Sequence, residues 1–448
     1  MVQISITDFT ENSNGEVRKN NTVAKEEKRV MTAHMALINF LKGLIGPGCM
    51  SLPMAFRQSG LWTGFALVFF IGVLTCLCML KIVRCSQVLT SRNPKIKTLN
   101  YAEMAQESFR QSFPCLRHYE NIARRFVNLC IASLIIGICS VHYVFTVDHI
   151  MEIVNHIWPE VHISKLSYLV MLIIPFLILS FVRNLVLMSY VSMAGNVFML
   201  FSTVTIFYHL FSSEHVTDKV PWFTNLHGLI LTTPAIIYAF GGQVLILPLE
   251  NKMKHPSEML GLTGVLSTGM ALVTILYAGC GFFGYITYGN DVKASITLNM
   301  DDSYVSLLVK GMLTVVVFTG SLIQFYTLST SLQPSVMRLI DGRCGDRRKA
   351  ELLVDYGIRS AIVFVSFLFA ALVPNLEELI PLVGVTSGMF LAFIIPSVCD
   401  ITTFLPGFLQ NRRYFDIVTL LSNNIFYFTI GVVAVVVGLD TNIRILLR

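Results

Sequence analysis

Charged residues are scarce in this chain. They make up 13% of its 448 residues, whereas 54% are hydrophobic and the mean hydropathy is +0.67. This balance excludes a soluble globular protein and is typical of a polytopic membrane protein. No long apolar segment of the sequence pairs a nucleophile with a base or gathers metal-ligating side chains. We therefore expect no enzymatic activity, no metal site and no cofactor.

Carboxylates are absent from the middle of the apolar segments. The acidic residues nearest to them lie at segment ends, and these are Asp148, Glu250, Glu377, Glu378 and Asp400. A charged side chain at the centre of a bilayer costs about 2.5–3.5 kcal/mol on insertion scales. Without acidic rings or a polar stripe, a cation channel is not expected, and a polyamine would find no opposite charge.

Eleven apolar segments are long enough, or nearly so, to cross a membrane, which takes about 20 residues for a hydrocarbon core of about 30 Å. We predict one all-α integral membrane domain over residues 31–440, after a disordered cytosolic tail at 1–30 and before a short tail at 441–448. Membrane lipid is therefore a partner. The segments are 34–56, 64–84, 126–147, 166–182, 189–211, 228–249, 260–285, 304–330, 355–373, 379–400 and 418–438.

Lysine and arginine are distributed unevenly between the connecting loops. Loops 85–125 and 334–359 hold seven and six of them, whereas the loops on the other side hold few. By the positive-inside rule these two loops and the N-terminus are cytosolic, and the C-terminus is extracellular or lumenal. Topology thus explains the basic runs, and no nucleic-acid partner is expected. Residues 99–109 of the first loop are predicted to form a short helix after a turn at 93–94.

The first apolar segment is interrupted at Gly46-Pro47-Gly48. Glycine lacks the side chain that restrains the backbone, and proline lacks a donor and clashes with the preceding helical turn. We expect these residues to unwind the helix near the middle of the membrane. Because unpaired backbone groups cost several kcal/mol in hydrocarbon, such a break persists only beside a cavity or a bound solute. Close helix packing at the glycines is the alternative interpretation.

A second interruption, Phe240-Gly241-Gly242-Gln243, lies in the sixth segment. The spacing of the two breaks, and of the segments that follow them, suggests that a unit of five spans is duplicated. Broken helices in corresponding halves indicate the substrate site of a secondary transporter, and an odd number of spans inverts the repeat. The predicted architecture is therefore a 5+5 inverted repeat with discontinuous helices 1 and 6, followed by an additional eleventh span.

The two breaks can recognise an amino acid through backbone groups alone. The half-helix after Gly48 offers free N–H groups to a carboxylate, and the helix ends before the breaks offer carbonyls to an ammonium. Tyr143 is a candidate lid or a packing residue, and Gln243 a site group or an interhelical hydrogen bond. Lys42 is expected to snorkel or pair near the inner face rather than to bind substrate. The predicted substrate-binding residues are Ile45, Gly46, Pro47, Gly48, Cys49, Tyr143, Tyr238, Phe240, Gly241, Gly242 and Gln243.

The chain contains a set of short motifs at 41–48, Leu52-Pro53, 247–253, 284–289, 295–299, 382–384 and Ile395-Pro396. Together they resemble the proton-coupled amino acid transporters of solute carrier family 36, within the amino acid/auxin permease family. The resemblance covers about residues 34–435. It implies the amino acid–polyamine–organocation (leucine-transporter-like) fold and transport of small neutral amino acids by alternating access.

The resemblance also implies proton symport, which needs a group that titrates near neutral pH. The family's histidine before the first break is Asn39 here, and the family's glutamate in the sixth helix is replaced by Gly241. His142 remains as a candidate for proton coupling, and Glu250 is a candidate for the inner gate. Uncoupled facilitation and a non-transporting amino acid sensor stay open as alternatives, in a plasma membrane or in a lysosomal or endosomal membrane.

Overall fold

The computed structural model describes residues 31–93, 95–160, 163–217, 220–301, 303–340 and 347–446. The predicted tail at 1–30 lies outside the described residues. Nine described helices are long and apolar enough to cross a membrane, and a bent pair over 33–59 makes a tenth span. The all-α membrane architecture is therefore confirmed. Eleven spans stay a prediction, because the apolar helix at 165–180 is shorter than the others.

The first half of the chain contains a broken span and four further apolar segments. Its first helix begins after Thr32, whose hydroxyl accepts a hydrogen bond from the Met35 N–H at 3.5 Å. The short helix predicted in the first basic loop is confirmed, and a capping box of Asn100 and Glu103 begins it. The helices are α1 (Ala33–Leu44), α2 (Pro47–Met50), α3 (Leu52–Ser59), α4 (Leu61–Arg92), α5 (Tyr101–Arg110), α6 (Pro114–Arg117), α7 (Glu120–Ile157), α8 (Lys165–Met171), α9 (Ile173–Ser180) and α10 (Leu185–Ser212).

The second half repeats this order, again beginning with a broken span. Two π-helical turns, Gly384–Gly388 and Phe390–Ile394, join its last two helices before the final span, so that residues 376–410 form one span. Repeating a unit of five membrane-crossing segments would place the two halves in opposite orientations, which stays a prediction together with the crossing by residues 165–180. The helices are α11 (Leu226–Ala239), α12 (Gln243–Lys252), α13 (Val265–Tyr288), α14 (Tyr304–Ile340), α15 (Arg347–Leu372), α16 (Leu376–Val383), α17 (Ile395–Gln410) and the additional α18 (Tyr414–Leu446).

The spans differ in how deeply they lie in the bundle. In the most apolar stretch of the span at 376–410, 83% of the residues are buried. The corresponding stretches of the spans at 186–212 and 414–444 have 17% and 28% of their residues buried. The two broken spans are neighbours at the centre, since α3 packs on α11 and α13 while α1 packs on α12 and α13. α10 and α18 lie at the periphery, where exposed apolar side chains suit contact with lipid.

Several predicted boundaries differ from the structure because the helices extend beyond their apolar stretches. The loop predicted at 85–125 is helical at both ends, since α4 continues to Arg92 and α7 begins at Glu120. The described parts of the loop predicted at 334–359 belong to α14 and α15. α18 continues to Leu446, so residues 441–446 of the predicted tail are helical.

Two carboxylates predicted at segment ends lie inside helices for the same reason. Asp148 is buried within α7 and pairs with Lys165. Asp400 is buried within α17, where the Asn424 amide donates to its carboxylate at 2.7 Å. Both carboxylates therefore have polar partners, as an acidic group in a low-dielectric environment requires.

Candidate functional site at the two helix breaks

The first break separates α1 from α2 by a short extended segment. Ile45 and Gly46 have φ angles of −74° and −170°, and the helices on either side are bent by 53°. Pro47 occupies the first position of α2, where its missing N–H costs no helical hydrogen bond. The predicted break is therefore present, and it brings the carbonyl end of α1 close to the N–H end of α2.

The second break is a tighter turn between α11 and α12. The Gly241 N–H donates to the Tyr238 carbonyl at 3.1 Å, and the Gly242 N–H donates to the Phe240 carbonyl at 2.7 Å. Despite the turn, residues 226–252 form one span. The interruption of the sixth predicted span, between α11 and α12, thus lies at the predicted residues. The backbone groups of this break are largely paired with one another.

A tyrosine on a third helix joins the two breaks. The Tyr277 hydroxyl of α13 lies 2.6 Å from the carbonyl oxygen of Leu44 and 2.8 Å from that of Ala239. These carbonyls end α1 and α11, where a helix leaves acceptors without partners. A hydroxyl has one proton to donate, so the two helix ends share a single donor.

A cavity of about 510 Å³ reaches the first break. On one side of the break its wall follows α1 and α12 as far as Asn39 and Pro248, whereas on the other side it ends at Met50. It therefore extends from the break toward the end of the bundle where α1 begins, which we call the N-terminal side. α7, α10 and α14 complete the wall.

The cavity brings residues of both breaks together. The break between α1 and α2 contributes backbone on one side, and the end of α11 contributes an aromatic ring on the other. Gln324 and Thr327 of α14 add polar groups to the wall. The predicted substrate-binding residues that line the cavity are Ile45, Gly46, Pro47, Gly48, Tyr238 and Gly241.

The other predicted substrate-binding residues do not line the cavity. Tyr143 is a packing residue in this structure: its ring stacks on Phe176 with centroids 4.4 Å apart, and its hydroxyl donates to the Leu169 carbonyl at 2.6 Å. The Gln243 Nε2 has no hydrogen-bond partner within the described ranges. The residues buried behind the breaks are Cys49, Phe240, Gly242 and Gln243.

The two coupling and gating candidates occupy different places. His142 lines the cavity, and its Nδ1 lies 3.1 Å from the Ser321 hydroxyl. Glu250 is buried near the end of α12, where the Gln87 Nε2 donates to its carboxylate at 2.8 Å. His142 is therefore placed to meet solutes in the cavity, whereas Glu250 connects α12 to α4.

On the far side of the first break, α3 closes against its neighbours. A Cβ at Gly281 or Gly284 of α13 would lie 2.3 or 2.4 Å from side chains of α3, so the two helices are in direct contact. Beyond this contact, Arg57 pairs with Glu377 at 2.5 Å and donates to the Val292 carbonyl at 2.6 Å. The break thus has a cavity on its N-terminal side and packed helices on the other.

Among the residues around the cavity, sequence reasoning did not predict a site role for Asn39, Lys42 and Tyr277. Asn39 and Lys42 line it, and Tyr277 holds the two helix ends that frame it. The sequence indicated Lys42 as a snorkelling or pairing residue, and its place on the cavity wall comes from the structure. Tyr277 gave no signal in the sequence, because its role depends on contact between three helices that are distant in sequence.

Comparison with known proteins supplies the remaining evidence. A family model described as "Transmembrane amino acid transporter protein" matches residues 29–442. The chain belongs to this family. It is 30% identical to the probable amino acid transporter skat-1 of Caenorhabditis elegans over 94% of this chain and 91% of that protein. It is also 28% identical to the proton-coupled amino acid transporter-like protein pathetic of Drosophila melanogaster, over 83% of this chain and 77% of the relative.

Membership in the transmembrane amino acid transporter family confirms the resemblance found in the sequence. The family and these relatives are transporters, which confirms that the chain is not an enzyme, and the family implies an amino acid substrate. A weaker likeness, with a TM-score of 0.43 and 11% identity, covers 92% of this chain and 97% of a sodium-coupled sialic acid symporter solved in a substrate-bound outward-open state.

Proposed function

We propose that the chain is a secondary transporter that moves small neutral amino acids by alternating access around the first break. The observation that carries this proposal is the cavity, which ends where the N–H groups of α2 meet the carbonyls of α1. An N–H end attracts a carboxylate and a carbonyl end attracts an ammonium. A zwitterion therefore matches both ends of the break.

The closed and open sides of the break support alternating access. The contact of α3 with α13 and the pair of Arg57 with Glu377 close the far side, while the cavity extends toward the N-terminal side. By the distribution of basic residues we assign the N-terminal side to the cytosol. The arrangement then corresponds to an inward-facing state, and separation of Arg57 from Glu377 would accompany opening to the outside.

The proposed preference for neutral amino acids rests on the charges of the cavity wall. No described aspartate or glutamate lines the cavity, so a cationic side chain would find no counter-charge there. The preference for small side chains rests on the family resemblance and on the glycines of the second break, of which Gly241 lines the cavity. The volume of the cavity by itself would admit larger amino acids.

Uptake into proteoliposomes tests the proposal directly. Purified full-length chain is reconstituted, and uptake of radiolabelled glycine, alanine and proline is compared with and without an inward proton gradient. Uptake that the gradient stimulates supports proton symport, and uptake indifferent to it supports the uncoupled facilitator. Substrate binding without any uptake would contradict transport and favour the amino acid sensor.

His142 gives the sharper prediction for proton coupling, since it lines the cavity. A proton-accepting imidazole there is removed by His142→Gln, which keeps a polar side chain. We expect the ratio of uptake with the gradient to uptake without it to fall toward one, while uptake without the gradient persists. His149→Gln is the matched control, because His149 lies on the same helix but does not line the cavity; its ring nitrogens are paired with the Phe145 carbonyl and the Thr297 hydroxyl. An unchanged ratio in His142→Gln would remove this histidine as the coupling group.

A further inference from the structure

Lys42 is the charged side chain of the cavity wall that the proposed function leaves unexplained. It lies in the last turn of α1, four residues before Gly46, and lines the cavity. Among the described residues it has no ion-pair or hydrogen-bond partner. Its side chain is exposed, so the ammonium is accessible to whatever solute enters the cavity.

A small annex of about 60 Å³ adjoins the cavity at Lys42. It lies between α1, α10 and α14, and its polar wall includes Ser192, Asn196 and Thr319. A single water molecule needs about 10–15 Å³ of cavity volume, so the annex has room for a small polar group. The Thr319 hydroxyl already donates to the Val315 carbonyl at 2.6 Å. The Asn196 amide beside the Lys42 ammonium can donate hydrogen bonds to an anion.

The charge balance of the annex decides which polar group suits it. Lys42 contributes a positive charge, and no aspartate or glutamate within the described ranges lines the annex or the cavity. Coulomb attraction between a cation and an anion is several times stronger at the lower effective dielectric of a protein cavity than in bulk water. The annex therefore favours an anion and disfavours a second cation.

We propose that Lys42 and the annex form a carboxylate subsite, which makes Lys42 a determinant of charge specificity. The proposal rests on the function proposed above, because it concerns the same cavity. It replaces the expectation that Lys42 only snorkels. The carboxylate belongs either to the backbone of the amino acid, which Lys42 would then bind in place of the N–H end of α2, or to an acidic side chain, which would extend the substrates beyond neutral amino acids. The two sources predict different losses when the cation is removed.

Three variants of the full-length chain test the subsite in proteoliposomes. Lys42→Gln removes the charge, and Lys42→Arg keeps it as the matched control. Asn196→Asp is nearly isosteric and places a carboxylate in the annex, which would neutralise Lys42 without altering it. Inhibition of radiolabelled alanine uptake by unlabelled alanine, aspartate and lysine is measured for each variant.

We expect both Lys42→Gln and Asn196→Asp to weaken recognition of carboxylates at least about tenfold, which corresponds to 1.4 kcal/mol, while Lys42→Arg stays close to wild type. If the subsite holds the backbone carboxylate, the apparent affinity for alanine itself falls. If it holds a side-chain carboxylate, alanine is unaffected and only inhibition by aspartate is lost. In both cases inhibition by lysine increases relative to wild type.

The proposal is overturned if the charge-removing variants rank the three amino acids as wild type does. It is also overturned if Lys42→Arg loses recognition as fully as Lys42→Gln, because shape rather than charge would then matter. A wild-type protein without uptake would contradict the proposed transport function instead. In that case, stabilisation of the purified protein against heat by alanine and aspartate, compared between wild type and Lys42→Gln, still decides the subsite.

Discussion

The two helix breaks are built from similar residues but differ in openness. At the first break the chain is extended and bent by 53°, and a Cβ on Gly46 would meet nothing within 4 Å. At the second break the turn stays within one span, and a Cβ on Gly241 would lie 2.9 Å from the Tyr238 carbonyl oxygen. The first break therefore presents backbone to the cavity, whereas the second forms a packed wall beside it.

Proline explains the difference. Pro47 cannot donate to the preceding helical turn and its ring clashes there, so α1 must end before it. The glycines of the second break keep their N–H groups, and these find acceptors two and three residues earlier. A Gly-Pro break thus leaves polar backbone for a solute, while a Gly-Gly break consumes most of its own hydrogen-bonding groups.

The largest effect is expected at Gly48. Its Cβ would lie 2.8 Å from the Ala239 Cα, which is backbone and cannot move aside cheaply. We expect Gly48→Ala to destabilise the protein by about 1–3 kcal/mol, as overpacking does, and to reduce uptake severely. Thermal stability of the purified protein and uptake into proteoliposomes measure both effects.

Gly46→Ala is the matched control for this substitution. Gly46 lies two residues away, has an extended backbone that alanine adopts, and has open space around its Cβ position. We expect wild-type thermal stability for this variant. Equal damage from both substitutions would contradict the view that the first break is packed on one side and open on the other.

An intermediate effect is expected for Tyr277→Phe. The change removes the one hydroxyl shared by the carbonyls of Leu44 and Ala239 and leaves buried acceptors unpaired, at a cost of about 1–3 kcal/mol. Because this hydroxyl links both breaks, we expect the maximal uptake rate to fall more than the apparent affinity. Tyr285→Phe on the same helix is the control, since the Tyr285 hydroxyl has no partner within the described chain. Equal loss in both variants would argue against a specific link.

Local chemistry was predictable from the sequence, and tertiary contacts were not. Gly46, Pro47 and the glycines at 241–242 marked both breaks because their backbone properties act within one helical turn. Tyr143 was expected as a lid or as a packing residue, and only the structure shows its contact with Phe176. The helices also extend past their apolar stretches into polar sequence, which hydropathy does not detect.

The smallest effect is expected at Gly242, in the packed break. A Cβ there would lie 2.8 Å from Leu44 Cδ2 and 3.6 Å from Met79 Cε, which are ends of flexible side chains. The backbone of Gly242, with φ of −89°, is accessible to alanine. We therefore expect Gly242→Ala to cost less than about 1 kcal/mol, the lower end of overpacking, with uptake largely preserved.

Gly311→Ala provides the baseline for this last comparison, because Gly311 lies in α14 with nothing within 4 Å of its Cβ position. Alanine favours a helix over glycine, so thermal stability should be unchanged or slightly higher. If the thermal stability of Gly242→Ala lies between that of Gly311→Ala and that of Gly48→Ala, the second break tolerates substitution and the first break is the constrained element. If Gly242→Ala abolishes uptake while stability is kept, the second break must move during transport, and the difference between the breaks describes one conformation only.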